Sequence, residues 1–128
     1  MIKHKDKWLG IIQECKAHNL TMRQMVFVLA LLEVEDRPKD SEFNVAAAHG
    51  AGFKEQLLWV IGSVKKNQER WQKYLIGDYL EMIIPCEEFF FKFGGSLRTG
   101  WHTEHKDFYY NKFLKKRAEV EEDESIRY

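Results

Sequence analysis

The chain has 128 residues, 20 basic and 20 acidic side chains, a net charge of zero, and 45% hydrophobic and 14% aromatic residues. That composition fits one folded domain with short appendages and excludes both a disordered chain and a polycation that holds nucleic acid by bulk charge. No apolar run reaches the roughly 18 residues of a membrane span, and the opening MIKHKDKWLG lacks the apolar stretch of a secretion signal. Cys15 and Cys86 allow at most one disulfide, so a reducing cytoplasm is the expected compartment.

Trp8, Ile11, Ile12 and Cys15 recur at helical spacing and predict a first helix over about residues 5–18. Thr21-Met22-Arg23-Gln24 then has the form of a capping box: the Thr hydroxyl receives an N–H three residues on, and the Gln reaches back. The apolar run MVFVLALLEV that follows suits a buried strand or a helix enclosed on all sides. Its cap, length and Leu/Ala content predict the helix. EVEDRPKD breaks it, because Pro38 cannot lie inside a helix. Asp40 or Ser41 can cap a short helix that ends at His49, and Gly50 and Gly52 are expected to supply unusual backbone angles in a turn.

Phe53 opens a fourth helix, with Leu57, Val60, Ile61 and Val64 on one face and Leu58 and Trp59 on another. ERWQKYLIGDYLEMII is helical up to Pro85, as a continuation of that helix or as the second arm of a hairpin turning near residues 66–68. Trp71, Leu75, Tyr79, Met82 and Ile83 form its main stripe, while Ile76, Leu80 and Ile84 lie off it. Past Pro85 the period changes. Phe89, Phe91 and Phe93 alternate with polar or facing residues, Gly94-Gly95-Ser96 reads as a turn, and Leu97, Thr99 and Trp101 alternate again, which predicts a β-hairpin. A last helix over about 106–118 precedes an acidic tail, 119–128. The expected fold is mainly α. A helix-turn-helix bundle spans 1–67, a central oligomerising helix spans 68–85 together with 53–67, and a small β-hairpin plus a terminal helix span 86–118.

Charge is segregated despite the zero total. Residues 54–73 carry five basic and two acidic groups, and 106–117 carry five basic and one acidic. Residues 118–128 carry five acidic and one basic, and 33–42 carry five acidic and two basic; both read as solvated linkers or tails. In a helix-turn-helix the second helix enters the major groove behind a tight turn. Here HGAG would be the turn, with Ala46, Ala47 and Ala48 allowing close approach. Lys54, Glu55 and Gln56 would face base edges, with Lys suited to guanine acceptors and Gln to adenine. Lys65 and Lys66 extend the same basic surface. Leu58, Trp59, Ile76 and Leu80 are more apolar surface than one small core needs, and they predict self-association. Lys112, Lys115, Lys116 and Arg117 could touch phosphate or simply solvate the last helix.

Leu20-Thr21, Gln24, the run Phe27–Leu32, Ala47-Ala48 and Ala51-Gly52-Phe53 together resemble the start of the small subunit of phage DNA-packaging terminases. The resemblance covers about a quarter of the chain. The insertion EVEDRPKDSEF is longer and more acidic than that pattern, and Gly50 stands where a small apolar residue is usual. The LTMRQ opening also resembles winged-helix regulators of the MarR type. The terminase resemblance implies a protein that binds a packaging site on double-stranded DNA through helix-turn-helix units. It also implies a homo-oligomeric ring closed through a central pair of helices, and a large catalytic packaging subunit engaged by C-terminal segments.

Two other constellations point elsewhere. Cys15 and His18 are three positions apart, as are His102 and His105, and the four could supply zinc with thiolate and imidazole. The pairs are more than eighty residues apart and Cys15 falls on an apolar stripe, so no metal or cofactor is expected. Glu87 and Glu88 would point to opposite faces of a strand. His102, Glu104 and His105 with Cys86 lack any orienting motif, and no phosphate loop, dinucleotide fingerprint or H-E-x-x-H occurs. The expectation is a non-enzymatic DNA-binding oligomer. A protein-binding or inhibitory module using the aromatic C-terminal half is the alternative, and a winged-helix regulator is a second.

Overall fold

A computed structural model describes residues 2–35, 43, 52–76, 84–93, 106–123 and 126. A 3-10 turn, Lys5–Lys7, leads into α1, Trp8–Ala17, which buries Trp8, Ile11 and Cys15 as their spacing predicts. α1 ends at Asn19, whose φ of 60° is left-handed. The Asn19 N–H donates to the Lys16 carbonyl and the Leu20 N–H to the Cys15 carbonyl, each at 3.0 Å. This is a Schellman ending, with Asn in the place usually taken by Gly. Thr21 caps the next helix at once. The Gln24 N–H donates to Thr21 Oγ1 at 3.1 Å, and the Thr21 N–H donates to Gln24 Oε1 at 2.9 Å. The reciprocal pair is the capping box read from the sequence.

That cap starts α2, Met22–Glu35, in which every side chain from Met25 to Val34 is buried. α1, α3 and α5 all pack against it, so its lack of a polar face follows from its having no free side. Phe27 is central to the packing: its ring lies 5.0 Å from Phe90, edge to face, and 5.1 Å from Phe113. Such pairs add about 0.5–1.5 kcal/mol beyond the area they bury. Glu33 is the polar exception on α2, at 3% exposure. Its carboxylate accepts the backbone N–H groups of Lys3 and His4 and fixes the start of the chain across the end of α2.

α3, Phe53–Leu75, is one continuous helix through residues 66–68. α4, Cys86–Phe93, and α5, Lys106–Glu122, complete the five helices among the described residues. Three α3 side chains seat the start of α4. Asn67 Nδ2 donates to the Cys86 carbonyl at 3.0 Å, Cys86 Sγ donates to Gln68 Oε1 at 3.2 Å, and Trp71 Nε1 donates to the Ile84 carbonyl at 2.8 Å.

The structure corrects the predicted β-hairpin. Its first arm is helix α4, and no strand occurs among the described residues; residues 94–101, the turn and second arm, lie outside them. Three consecutive phenylalanines suit a helix wedged between neighbours. Phe89 meets Tyr74 of α3, Phe90 meets Phe27 of α2, and Phe91 meets Phe113 of α5. The acidic end is also less free than a solvated tail. α5 runs on to Glu122, Val120 and Ile126 are buried in the core, and Asp123 pairs with Lys5 at 2.7 Å. No described helix is long and apolar enough to cross a membrane.

Truncating Phe27 to Ala should cost about 3–5 kcal/mol in urea unfolding. Thr21→Ala should cost about 1 kcal/mol through the lost cap.

Candidate nucleic-acid interface

α3 is 23 residues long, about 34 Å at about 1.5 Å per residue. Its sequence divides it into two arcs. Gln56, Leu57, Val60, Ile61, Val64 and Asn67 face the core. Lys54, Glu55, Trp59, Gly62, Lys65 and Lys66 are exposed. At about 100° per residue, Lys54 and Lys65 share one edge of the open arc, and Trp59 and Lys66 share the other. Gly62 lies between the edges, and a Cβ built on it would meet nothing within 4 Å. Trp59 is 45% exposed and Ile76 85% exposed, which is unusual for side chains of this size. Leu58 is half-buried.

The leading end of α3 is open on one side only. Gly52, its N-cap, is exposed and makes no side-chain cap hydrogen bond. Its φ of −62° and ψ of 161° are available to any residue, so the turn places no demand for glycine there; Gly50 lies outside the described residues. Phe53 stacks on Phe43 with ring centroids 5.7 Å apart, and Lys7 Nζ sits 5.3 Å over the Phe53 ring. Lys54 and Glu55 project into solvent.

Gln56 does not reach a groove. It is fully buried and accepts the Phe43 N–H at 3.3 Å, which corrects its predicted role as a base reader. At this position the helix has turned inward, and a buried amide needs an internal partner. The short helix expected to follow Asp40 or Ser41 and end at His49 lies, apart from Phe43, outside the described residues, as do Leu80, His102, Glu104 and His105. On α5, Lys112 is half-buried and Lys115 exposed; Lys116 pairs with Glu119 at 3.4 Å and Arg117 with Glu121 at 3.4 Å.

Sequence reasoning missed an ion cluster beneath α2. Glu87 is 1% exposed. Arg23 grips it with two hydrogen bonds of 2.7 Å, and Arg117 Nη1 lies 3.9 Å from Oε2. Burial pushes the Glu87 carboxyl upward, but the Arg23 hydrogen bond, a backbone hydrogen bond and the charges of Arg23 and Arg117 outweigh it and hold the group below its ordinary value. Two cavities flank Arg23. One of about 620 Å³ has Met22, Val26 and Ile126 as its apolar walls, and one of about 520 Å³ is walled by Gln68, Trp71 and Gln72. The two arginines are matched there by Glu87 and Glu121, so this corner offers no surplus of positive charge. The neighbouring Glu88 pairs with Lys92 on the same helix.

Both cysteines are free and buried. Burial, then the Glu14 charge, pushes the Cys15 thiol up to about 12. Burial, then the Glu87 charge, pushes Cys86 up to about 11, against Arg23 and Asn67. His18 contacts Glu14 at 3.3 Å. Among the described residues no group of three or more His, Cys, Asp or Glu is placed to hold a metal ion.

No protein-family model, curated protein or solved structure matches this chain.

Arg23→Ala leaves Glu87 buried without its main partner. Because the Arg23 side chain is 62% exposed, water offsets part of the loss, and about 1.5–3 kcal/mol is expected. Glu87 has a lowered folded value, so its contribution is complete above the unfolded carboxyl value of about 4.3 and disappears as pH falls through the lower folded value. Unfolding of the wild type from pH 6 to 2 should show that acid-side loss, and Glu87→Gln should lack it.

Proposed function

We propose that this chain is a non-enzymatic, double-stranded-DNA-binding protein that works as an oligomer, with the outer arc of α3 as its contact surface. The observation that carries this reading is the open edge of a long, rigid helix bearing Lys54 and Lys65, about 16 Å apart along the axis at about 1.5 Å per residue, both exposed. That span is comparable with the major groove, about 12 Å wide, so the two ammonium groups can reach phosphates on either side of it. A chain of zero net charge needs such local segregation, since fields from exposed charges fade over about 8–10 Å. Repetition of a weak patch around an oligomer adds avidity. Lys73, exposed near the far end of the arc, extends the basic surface. Within this class, initiation of viral genome packaging, with a ring of subunits handing DNA to a large catalytic partner, is the specific role we favour. A winged-helix regulator would use the same helix.

Docking of a protein through the aromatic C-terminal half has less support. Phe89, Phe90, Phe91 and Phe113 are all buried in the chain's own core, leaving Phe93 and Phe108 as the exposed aromatic side chains of α4 and α5 at 37% and 65%.

Duplex binding should weaken steeply between 50 and 200 mM salt, with a log–log slope near −0.9 per phosphate contact. Lys54→Ala combined with Lys65→Ala should flatten that slope by about two contacts per subunit without changing the melting temperature. Binding that ignores salt, or a double variant that binds as wild type, would discard the DNA reading in favour of protein docking.

A further inference from the structure

The exposed arc of α3 carries a second pattern beside the lysine edge. Glu55, Trp59, Gly62 and Lys66 follow one another at alternating four- and three-residue steps, the spacing of a helix–helix seam. All four are solvent-facing apart from the half-covered Trp59 ring, and among the described residues Glu55 and Lys66 form no ion pair. A helix pairing with its own copy must match this stripe against itself.

We infer that α3 pairs with α3 of a second copy, antiparallel across a two-fold axis, with Trp59 seated over the partner's Gly62 and Glu55 facing the partner's Lys66. This supplies one contact of the oligomer proposed above, a two-fold contact that closes at two copies, so a ring would be assembled from such pairs through a second contact. It rests on that reading for its use in DNA binding. The register is set by the sequence itself. When Trp59 is opposite the partner's Gly62, Glu55 falls opposite the partner's Lys66, and by symmetry each contact is made twice. Among the described residues nothing lies within 4 Å of a Cβ built on Gly62, and that space takes the indole, which an alanine or larger residue would crowd. In the same register Glu69 comes opposite the partner's Gly52, the uncapped start of α3, where a negative charge is favourable. A parallel pair would instead set Glu55 against Glu55 and Lys66 against Lys66. Sliding the antiparallel pair by two turns would set Trp59 against the partner's Glu69.

The two-fold axis has a functional consequence. It lies perpendicular to the plane of the two helices, so the edge carrying Lys54 and Lys65 emerges on the same side from both copies. With helices about 8–10 Å apart, four lysines form one basic patch on the order of 20 Å long. One copy alone offers half of it. Lys66, predicted from the sequence as a DNA contact, belongs in this arrangement to the seam.

Light scattering coupled to size exclusion tests the pairing. The wild type should run as a dimer or a multiple of one. Glu55→Lys alone and Lys66→Glu alone should each weaken association at least about tenfold through facing like charges, and the double charge swap should restore it. Gly62→Leu should also weaken it, with an unchanged melting temperature showing that the fold survives. A monomeric wild type, single variants that associate normally, or a double swap that stays dissociated would overturn the pairing. Duplex binding measured on the same samples separates the two proposals. A rescued dimer that ignores DNA sinks the DNA reading and leaves the pairing. Salt-sensitive DNA binding with a failed rescue does the reverse.

Discussion

A helix buried from Met25 to Val34 on every side needs apolar neighbours around its full circumference, and in a chain of 128 residues nearly everything else must supply them. α1 covers one side of α2, α3 a second and α5 a third, while α4 reaches it through Phe90. This division explains the aromatic content. Phe27, Phe90, Phe91 and Phe113 fill the space where three helices converge, and large rings close such gaps with few side chains. It also explains why α3 has an outer arc at all: only its inner side is needed for the core.

The elements set by local chemistry were legible in the sequence. The Thr21–Gln24 cap, the helical character of MVFVLALLEV and the stripe Leu57, Val60, Ile61 and Val64 all depend on residues within a few positions of one another. The failures occur where distant partners decide. The alternation of Phe89, Phe91 and Phe93 resembles a strand because period-two reasoning ignores Phe90. Nothing local shows that three different helices await three adjacent rings. Gln56 reads as an exposed polar residue at a helix start, yet the Phe43 backbone, 13 positions earlier, claims it. The grip of Arg23 on Glu87 spans 64 positions, and a single sequence carries no sign of it.

Of the candidate interface, the basic character of α3 was legible and its geometry was not. The sequence places Lys54, Lys65, Lys66 and Trp59 on one helix, but their division between two edges of one arc depends on which side of α3 meets α2 and α4. Gly62 carries no signal in a composition or charge count. Its place between the two edges of the arc appears only once the helix is seated, with nothing among the described residues within 4 Å of a Cβ built on it. A neutral chain can thus hold a local charge bias: two acids, Glu33 and Glu87, are buried against internal partners, while several lysines of α3 remain outward.

The two buried thiols sit in different layers of the molecule, Cys15 on the inner side of α1 and Cys86 at the first turn of α4. Only the thiolate attacks an alkylating reagent, and burial pushes both thiols above their ordinary value while their helices stay seated. Each becomes reactive when its own helix lifts away. The two sulfurs would therefore report separate local openings, one of α1 and the other of α4.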